Sequence, residues 1–116
     1  QQDEVDEAVW ACERILRLDP AGEEADDALF FLSRAAEKHG DRDAAVAHLE
    51  RLVGDFPDHD LADDALGQLG EFYEKAQGCR AAIPYYERLR EEYGRSGWAA
   101  VAESALARCS REDRQE

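Results

Sequence analysis

Apolar residues recur every three to four positions in six successive blocks of the chain, and polar residues fill the positions between them. This spacing is typical of amphipathic α-helices that bury one side. Glycines stand where blocks end, and polar residues that can cap a helix stand where blocks begin. The glycines are Gly40, Gly54, Gly78 and Gly94, and the candidate N-caps are Asp41, Asp58 or Asp60, and Ser96. The pattern predicts helices at residues 3–18, 23–39, 42–54, 60–76, 80–93 and 97–110.

The blocks repeat with a period of 37 residues, and the copies align without a gap. The segment Ala25-Asp26-Asp27-Ala28-Leu29 recurs as Ala62-Asp63-Asp64-Ala65-Leu66. Each period holds two helices, here named A and B, and such a period indicates a helical-repeat protein. The apolar positions are Leu29, Leu32, Ala36, Leu66, Leu69, Tyr73 and Leu106 in the A helices, and Ala8, Cys12, Ile15, Ala45, Leu49, Leu52, Ala82, Tyr86 and Leu89 in the B helices.

Pro84 interrupts this regularity, because it replaces Ala47 of the preceding copy. Proline has no backbone N–H to donate inside a helix. We therefore predict that the fifth helix starts late, around residues 81–83.

The repeated residues resemble the tetratricopeptide repeat (TPR). The likeness is strongest in residues 55–94, and the copy at 18–54 departs from the family where Ser33 replaces a glycine and Ala36 a tyrosine. The usual period is about 34 residues, so the extra residues are expected in the loop around 57–61. The likeness rests on Leu66, Leu69-Gly70 and Tyr73 in the A helix, on Ala8, Ala45, Ala82 and Tyr86 in the B helices, and on the closing Pro20 and Pro57.

The resemblance implies an all-α fold, namely a right-handed α-solenoid of antiparallel helix pairs in the order B-A-B-A-B-A. It implies a single domain over residues 1–110, followed by a polar tail at 111–116. Within that domain we expect a half repeat at 3–18, repeats at 18–54 and 55–91, and a terminal helix at 97–110.

The combination of Phe56-Pro57-Asp58 with Tyr85-Tyr86-Glu87-Arg88-Leu89 looks like the branch of the family in bacterial cell-envelope proteins. That branch includes the Tol–Pal-associated periplasmic coordinator and the outer-membrane assembly lipoprotein. The resemblance implies a periplasmic or cell-envelope location, and a cytoplasmic location is the alternative, since similar repeats occur there.

The resemblance also implies a protein-binding groove lined by the A helices. Its wall would be acidic, with Phe30 as a large apolar anchor and Arg34 and Arg108 as local cations, and it would accept a basic or mixed peptide. Phe31 cannot point the same way as Phe30, so one of the two is expected in the core. The groove positions are Asp27, Phe30, Arg34, Glu37, Asp64, Gly67, Glu71, Glu74, Ser104 and Arg108.

Composition favours a protein partner over other ligands. The net charge of −14 repels nucleic acid and anionic lipid, and no apolar run is long enough to span a membrane. His39, His48 and His59 are scattered, and the acidic pairs Asp26-Asp27 and Asp63-Asp64 begin helices, where they stabilise the macrodipole. We therefore expect no enzymatic activity, no cofactor and no metal site.

The three cysteines show no metal-ligand or CxxC spacing. Cys12 and Cys109 are interpreted as structural thiols. Cys79 falls near a helix start, where it is expected to be exposed and mildly acidic.

The two tryptophans are expected to have different roles, Trp98 in packing between repeats and Trp10 in an interface. Trp98 takes the place of Leu61 at a helix start, and we expect it to fasten the loop onto the preceding repeat. Trp10 lies on the first helix, which lacks its own A helix, and it is a candidate interface residue. This favours an alternative function as a structural or self-association module of a larger envelope or regulatory protein. Trp10 would then contact a second copy of the chain or flanking sequence.

Overall fold

The computed structural model describes the backbone of residues 2–115 and the side chains of residues 4–111. The described residues contain no strand, which confirms the all-α class. Five of the predicted helices agree with the structure within two residues at both ends, and the last one continues five residues further. The side chains of the predicted polar tail from residue 112 onward lie outside the described residues. The helices are α1 (Gln2–Leu18), α2 (Ala25–Lys38), α3 (Arg42–Asp55), α4 (Ala62–Gln77), α5 (Cys79–Glu92) and α6 (Gly97–Gln115).

The chain forms two compact units, residues 1–62 with α1 to α3 and residues 63–116 with α4 to α6. In the first unit, the A helix α2 packs against both α1 and α3. Each helix contributes residues spaced three or four apart, which lie on one face. Burial of one such leucine side chain stabilises the fold by about 1.5–3 kcal/mol. The core of this unit includes Leu16, Ala28, Leu29, Leu32, Ala45, Leu49, Leu52 and Val53.

The core of the second unit is built around the contact of Tyr86 with Gly70. Tyr86 of α5 is only 1% exposed. A Cβ atom on residue 70 would lie 2.7 Å from Cε1 of Tyr86, so α4 and α5 approach this closely only with glycine at that position. One period earlier, the equivalent residues are Ser33 and Leu49, and both are buried. From the second pair to the first, the A-helix residue is thus larger (serine for glycine) and the B-helix residue is smaller (leucine for tyrosine).

The connections from a B helix to the next A helix repeat the same backbone hydrogen bonds. The N–H groups of Asp19, Phe56 and Tyr93 donate to the carbonyls of Ile15, Leu52 and Leu89. Each loop then turns, and the N–H groups of Ala25, Ala62 and Ala99 donate to the carbonyls of Gly22, His59 and Ser96. Successive members of these sets are one period apart, so the repeat is present in the backbone as well as in the sequence.

The connections from an A helix to its B helix are tight turns at glycine. Gly40 and Gly78 have φ angles of +78° and +94°, which other residues rarely adopt. The Asp41 carboxylate then accepts the N–H of Ala44 at 3.1 Å, which confirms this predicted N-cap. Ser96 caps α6 in the same way, because its hydroxyl oxygen accepts the N–H of Trp98 at 3.1 Å.

The predicted late start of the fifth helix is wrong. The helix α5 begins at Cys79, and Pro84 lies inside it. The chain reverses at Gly78, and Cys79 is buried immediately after the turn, so no residues remain for a longer loop. The helix therefore forgoes one backbone hydrogen bond at Pro84. The proline ring is exposed, so the core is unaffected.

Trp98 fastens α6 to α4, as predicted. Its indole Nε1 donates to a carboxylate oxygen of Asp64 at 2.7 Å. The ring lies directly over Gly67, where an added Cβ would overlap the ring atoms of Trp98.

Two glycine substitutions should therefore have opposite effects on stability. We predict that Gly67→Ala lowers the free energy of unfolding by about 1–3 kcal/mol, because the Trp98 ring cannot move without losing its bond to Asp64. Gly54→Ala in α3 should raise it by up to about 1 kcal/mol, because a helical glycine is unfavourable and nothing lies within 4 Å of the new Cβ. Urea denaturation followed by circular dichroism measures both. Equal effects would contradict the close contact of Trp98.

Candidate protein-binding site

A hollow of about 600 Å³ lies between the A helices α4 and α6 of the second unit. It has an apolar wall on α6, where Val101 is 43% exposed, and a polar rim supplied by both helices. The hollow brings together four of the predicted groove residues, Glu71, Glu74, Ser104 and Arg108. The remaining lining residues are Lys75, Tyr86, Ala100, Val101 and Ala105.

Glu74 is the centre of the polar network in this hollow. Arg108 from α6 holds both of its carboxylate oxygens, with Nη2 at 2.7 Å from Oε1 and 2.6 Å from Oε2. The hydroxyl of Tyr86 donates to Oε1 at 2.9 Å. The Glu74 carboxylate therefore links α4 to both α5 and α6. These polar contacts add to the apolar core in holding the walls of the hollow in place.

This network shifts the pKa values of two of its members. Burial would raise the pKa of Glu74, but hydrogen bonds from Arg108 and Tyr86 and the charge of Arg108 outweigh it, so the pKa is lowered. Burial, together with the hydrogen bond to the Glu74 carboxylate and its charge, raises the pKa of Tyr86 well above its usual value. At neutral pH the network thus consists of a carboxylate, a guanidinium and a neutral phenol.

The charges that line the hollow balance. Arg108 neutralises Glu74 at the centre, and the rim carries Glu71 and Lys75 on successive turns of α4. No described side chain forms an ion pair with Glu71 or Lys75. The wall of this unit is therefore less acidic than the sequence suggested, and its two rim charges are available to a ligand.

Two other predicted groove residues have structural contacts in place of an open position. Asp64 accepts the indole N–H of Trp98, and Gly67 is buried beneath the same ring. The Trp98 side chain therefore covers the end of the groove that these residues were expected to line.

The four groove residues of the first unit lie on α2. Asp27 and Glu37 are exposed, and the guanidinium carbon of Arg34 lies 5.9 Å from the centroid of the Phe30 ring, within cation–π range. The expectation that Phe30 or Phe31 belongs to the core is wrong, because Phe30 is half-buried and Phe31 is 37% exposed. Arg34 and Glu37 also border a second hollow, whose floor includes Val5 and Phe31.

The acidic pairs at the helix starts do more than stabilise a helix dipole. Asp26 is buried and lies 3.1 Å from Nδ1 of His59 in the loop that follows α3. Asp63 accepts a hydrogen bond from the hydroxyl of Ser96, in the loop one period later. Sequence reasoning missed both contacts, although the 37-residue offset relates Asp26 to Asp63 and His59 to Ser96.

Two cysteines are paired, contrary to the expectation of free thiols. Cys79 and Cys109 form a disulfide with a Cα–Cα distance of 5.4 Å, and both are buried, so the predicted exposure of Cys79 is wrong. The bond joins the start of α5 to α6 across 30 residues. A link of this span stabilises a fold by about 3–4 kcal/mol in the chain-entropy view.

Glu74, Cys79 and Cys109 form the one group of three potential metal ligands among the described side chains, with their ligand atoms within 4.8 Å of one another. The disulfide uses both sulfur atoms, and Arg108 and Tyr86 are hydrogen-bonded to the Glu74 oxygens. With the disulfide formed, these three residues therefore stabilise the fold and do not offer a metal site.

The described helices include none with the length and apolar character of a membrane span.

Trp10 is exposed, as predicted, with 55% of its surface accessible. The guanidinium carbon of Arg14, one turn along α1, lies 5.4 Å from its ring centroid. Ala47 and Pro84, its equivalents in α3 and α5, are also exposed, so Trp10 occupies the solvent side of the B helices.

The geometry defines an all-α helical-repeat protein, and comparison with known families agrees. A family model of the tetratricopeptide repeat matches residues 27–59, which cover most of α2, all of α3 and most of the following loop. Residues 27–59 are thus similar to a repeat whose family mediates protein–protein interactions and is not enzymatic. No curated protein and no solved structure gives a significant match to the chain.

The Glu74 network predicts a pH-dependent effect of Tyr86→Phe. The substitution should lower the free energy of unfolding by about 1.5–3 kcal/mol at pH 7, because it removes a hydrogen bond to a charged acceptor. The lowered pKa of Glu74 means that its contribution is present above the ordinary carboxyl pKa of 4.5 and is lost as the pH falls through the folded-state value. The difference between the two proteins should therefore shrink in that range.

Urea denaturation at pH 7 and pH 3.5 measures this effect. Tyr73→Phe is the matched control, because it removes a hydroxyl that makes no hydrogen bond to Glu74. A Tyr86→Phe effect that is the same at both pH values would show that the hydroxyl acts independently of the carboxylate.

Proposed function

We propose that this chain is a protein-interaction scaffold whose second unit binds an extended segment of a partner protein in the hollow between α4 and α6. The segment carries an apolar side chain and at least one basic side chain. The observation that carries this proposal is the position of exposed Val101 in the same hollow as the Glu71 carboxylate.

The apolar part of the ligand is argued from the α6 wall. Val101, Ala100 and Ala105 form a surface without large side chains, which leaves room for one from a ligand. Tyr86 also lines the hollow, and its hydroxyl already donates a hydrogen bond to Glu74. Interfaces of this kind gain most of their affinity where an apolar side chain fills a small pocket.

The basic part of the ligand is argued from charge. Glu74 is neutralised by Arg108, so Glu71 is the carboxylate in the hollow that can pair with a ligand cation. The net charge of −14 adds a long-range attraction that favours basic partners and raises their association rate. Lys75 makes a mixed segment more favourable than a purely basic one. On α2 we propose the same kind of contact for Asp27, Phe30, Arg34 and Glu37.

Binding of a fluorescein-labelled twelve-residue peptide of alternating lysine and leucine, measured by fluorescence anisotropy, tests the proposal. Glu71→Lys should weaken binding about tenfold, which corresponds to roughly 1.4 kcal/mol. Val101→Asp should weaken it to a similar extent. Glu87→Lys on α5 changes the net charge equally but lies outside the hollow, and it should have a small effect that disappears at high salt.

The comparison of the two lysine variants decides the outcome. If Glu71→Lys and Glu87→Lys weaken binding equally, the peptide responds only to net charge and the assigned site is wrong. Asp64 is unsuitable for this test, because its substitution would also release Trp98.

We also propose that the chain acts outside the reducing cytoplasm, in the cell envelope. The Cys79–Cys109 disulfide supports this, because buried structural disulfides persist in oxidising compartments and are rare in the cytosol. After acid quenching of source cells and alkylation with a maleimide, peptide mass spectrometry should find Cys12 modified and Cys79 and Cys109 unmodified. Modification of Cys79 and Cys109 would contradict the proposed compartment.

A further inference from the structure

The disulfide and the Glu74 carboxylate lie side by side in the second unit. The two sulfur atoms and one carboxylate oxygen are within 4.8 Å of one another. The three residues come from three helices, with Glu74 near the end of α4, Cys79 at the start of α5 and Cys109 in α6. The spacing along the chain does not indicate this cluster, because Cys79 and Cys109 are 30 residues apart.

We propose that Glu74, Cys79 and Cys109 bind one zinc ion when the disulfide is reduced. A dithiol donates two electrons and two protons, the S–S bond breaks to give two thiols, and the dithiol itself becomes a disulfide. Zinc then displaces both thiol protons and binds two thiolates and one carboxylate oxygen. Glu74 lines the hollow between α4 and α6, from which water supplies the fourth ligand that zinc usually takes. The inference does not depend on the proposed function, since no partner segment takes part.

The positions of the three ligand atoms suit zinc. Tetrahedral zinc lies about 2.3 Å from sulfur and about 2.0–2.2 Å from oxygen, so its ligand atoms are roughly 3.6–3.8 Å apart. Once the S–S bond is broken, rotation about the Cα–Cβ bonds separates the sulfur atoms to this distance. The carboxylate oxygen is already within 4.8 Å of both sulfur atoms. Side-chain rotations therefore bring all three ligand atoms to one ion.

The charges of the site balance when zinc is bound. Two thiolates and one carboxylate carry three negative charges, and the zinc ion and the guanidinium of Arg108 carry three positive charges. Cys79 and Cys109 are both buried, and an uncompensated charge in such a place is costly. The paired Arg108 therefore makes a doubly charged metal ion suitable for this site.

The contacts of Glu74 orient its carboxylate for a metal. Ligating carboxylates are usually hydrogen-bonded to a second set of side chains, and here Arg108 and Tyr86 supply those bonds. The longest contact runs from Nε of Arg108 to Oε2 at 3.2 Å, and it is the one that gives way to the metal. A mixed set of thiolate and carboxylate ligands favours zinc over Cu⁺, which selects sulfur, and over Mg²⁺ or Ca²⁺, which select oxygen.

Zinc binding and disulfide formation exclude each other, because each uses both sulfur atoms. The zinc form therefore belongs to the chain before oxidation, or after a dithiol has cleaved the bond. Zinc joins α4, α5 and α6, whereas the disulfide joins only α5 and α6. Bound zinc thus replaces one link between helices with another and keeps the thiols from being oxidised.

Zinc binding by the reduced chain with Cys12→Ser tests the proposal, because this change leaves Cys79 and Cys109 as the only cysteines. The protein is reduced with a phosphine in urea, refolded with zinc in the absence of oxygen, and desalted. Metal analysis should find one zinc ion per reduced chain and none on the oxidised chain. A reduced chain that retains no zinc, or an oxidised chain that retains as much, would overturn the proposal.

Two carboxylate variants separate the three-residue site from binding by the thiols alone. Glu74→Gln should weaken zinc binding by the reduced chain at least tenfold in competition with a chromophoric chelator, because it removes a charged ligand. Glu87→Gln on α5 changes the net charge equally, is exposed and lies outside the cluster, so it should leave the affinity unchanged. Equal affinities of the two variants, with circular dichroism showing that both retain their helices, would show that Glu74 is not a ligand.

Co²⁺ in place of zinc provides a measurement that does not require Glu74→Gln to fold. The reduced chain with Cys12→Ser should give the intense visible bands of a tetrahedral site and the near-ultraviolet charge-transfer band of two thiolate ligands. The weak visible bands of octahedral Co²⁺, without a charge-transfer band, would contradict the assigned ligands.

Discussion

The hydrogen bond between the first turn of an A helix and the loop one period later is the contact on which each unit depends. The Asp63 carboxylate accepts a hydrogen bond from the Ser96 hydroxyl, and the Ser96 oxygen in turn caps α6 by accepting the N–H of Trp98. The bond therefore sets where α6 begins relative to α4, and Trp98 then lies over Gly67. The hollow between α4 and α6 follows from that placement. Asp26 holds His59 in the same manner, which fixes the loop after α3 on α2.

Most of the fold could be predicted because its determinants are local or periodic. Helical spacing and the turn at Gly78 locate the helices within a residue or two, and the period shows which helices are equivalent. The late start predicted for α5 from Pro84 is wrong, because the tight turn at Gly78 and the burial of Cys79 outweigh the backbone hydrogen bond that is lost at the proline. That burial depends on a partner 30 residues away.

The candidate site was only partly predictable, because its chemistry depends on contacts between distant residues. Helix geometry placed Glu71, Glu74, Ser104 and Arg108 on the A helices, and the structure brings them to one hollow. Nothing in the spacing of Glu74 and Arg108 indicated that they neutralise each other. The disulfide was equally hidden, since three cysteines without a short motif carry no information about pairing. The sequence predicted Gly67 to line the groove from its helix position alone. A glycine in a sequence does not indicate which ring packs against it, and here the ring is that of Trp98.

The disulfide has a consequence for the order in which the chain comes apart. Each helix of a helical-repeat protein is stabilised mainly by its neighbours, so helices with few contacts open first. Cys109 ties α6 covalently to the start of α5, and fraying of α6 beyond that residue cannot separate the two helices. Under heat or mechanical load, α5 and α6 therefore stay linked until the disulfide is reduced, even after the packing between them is lost.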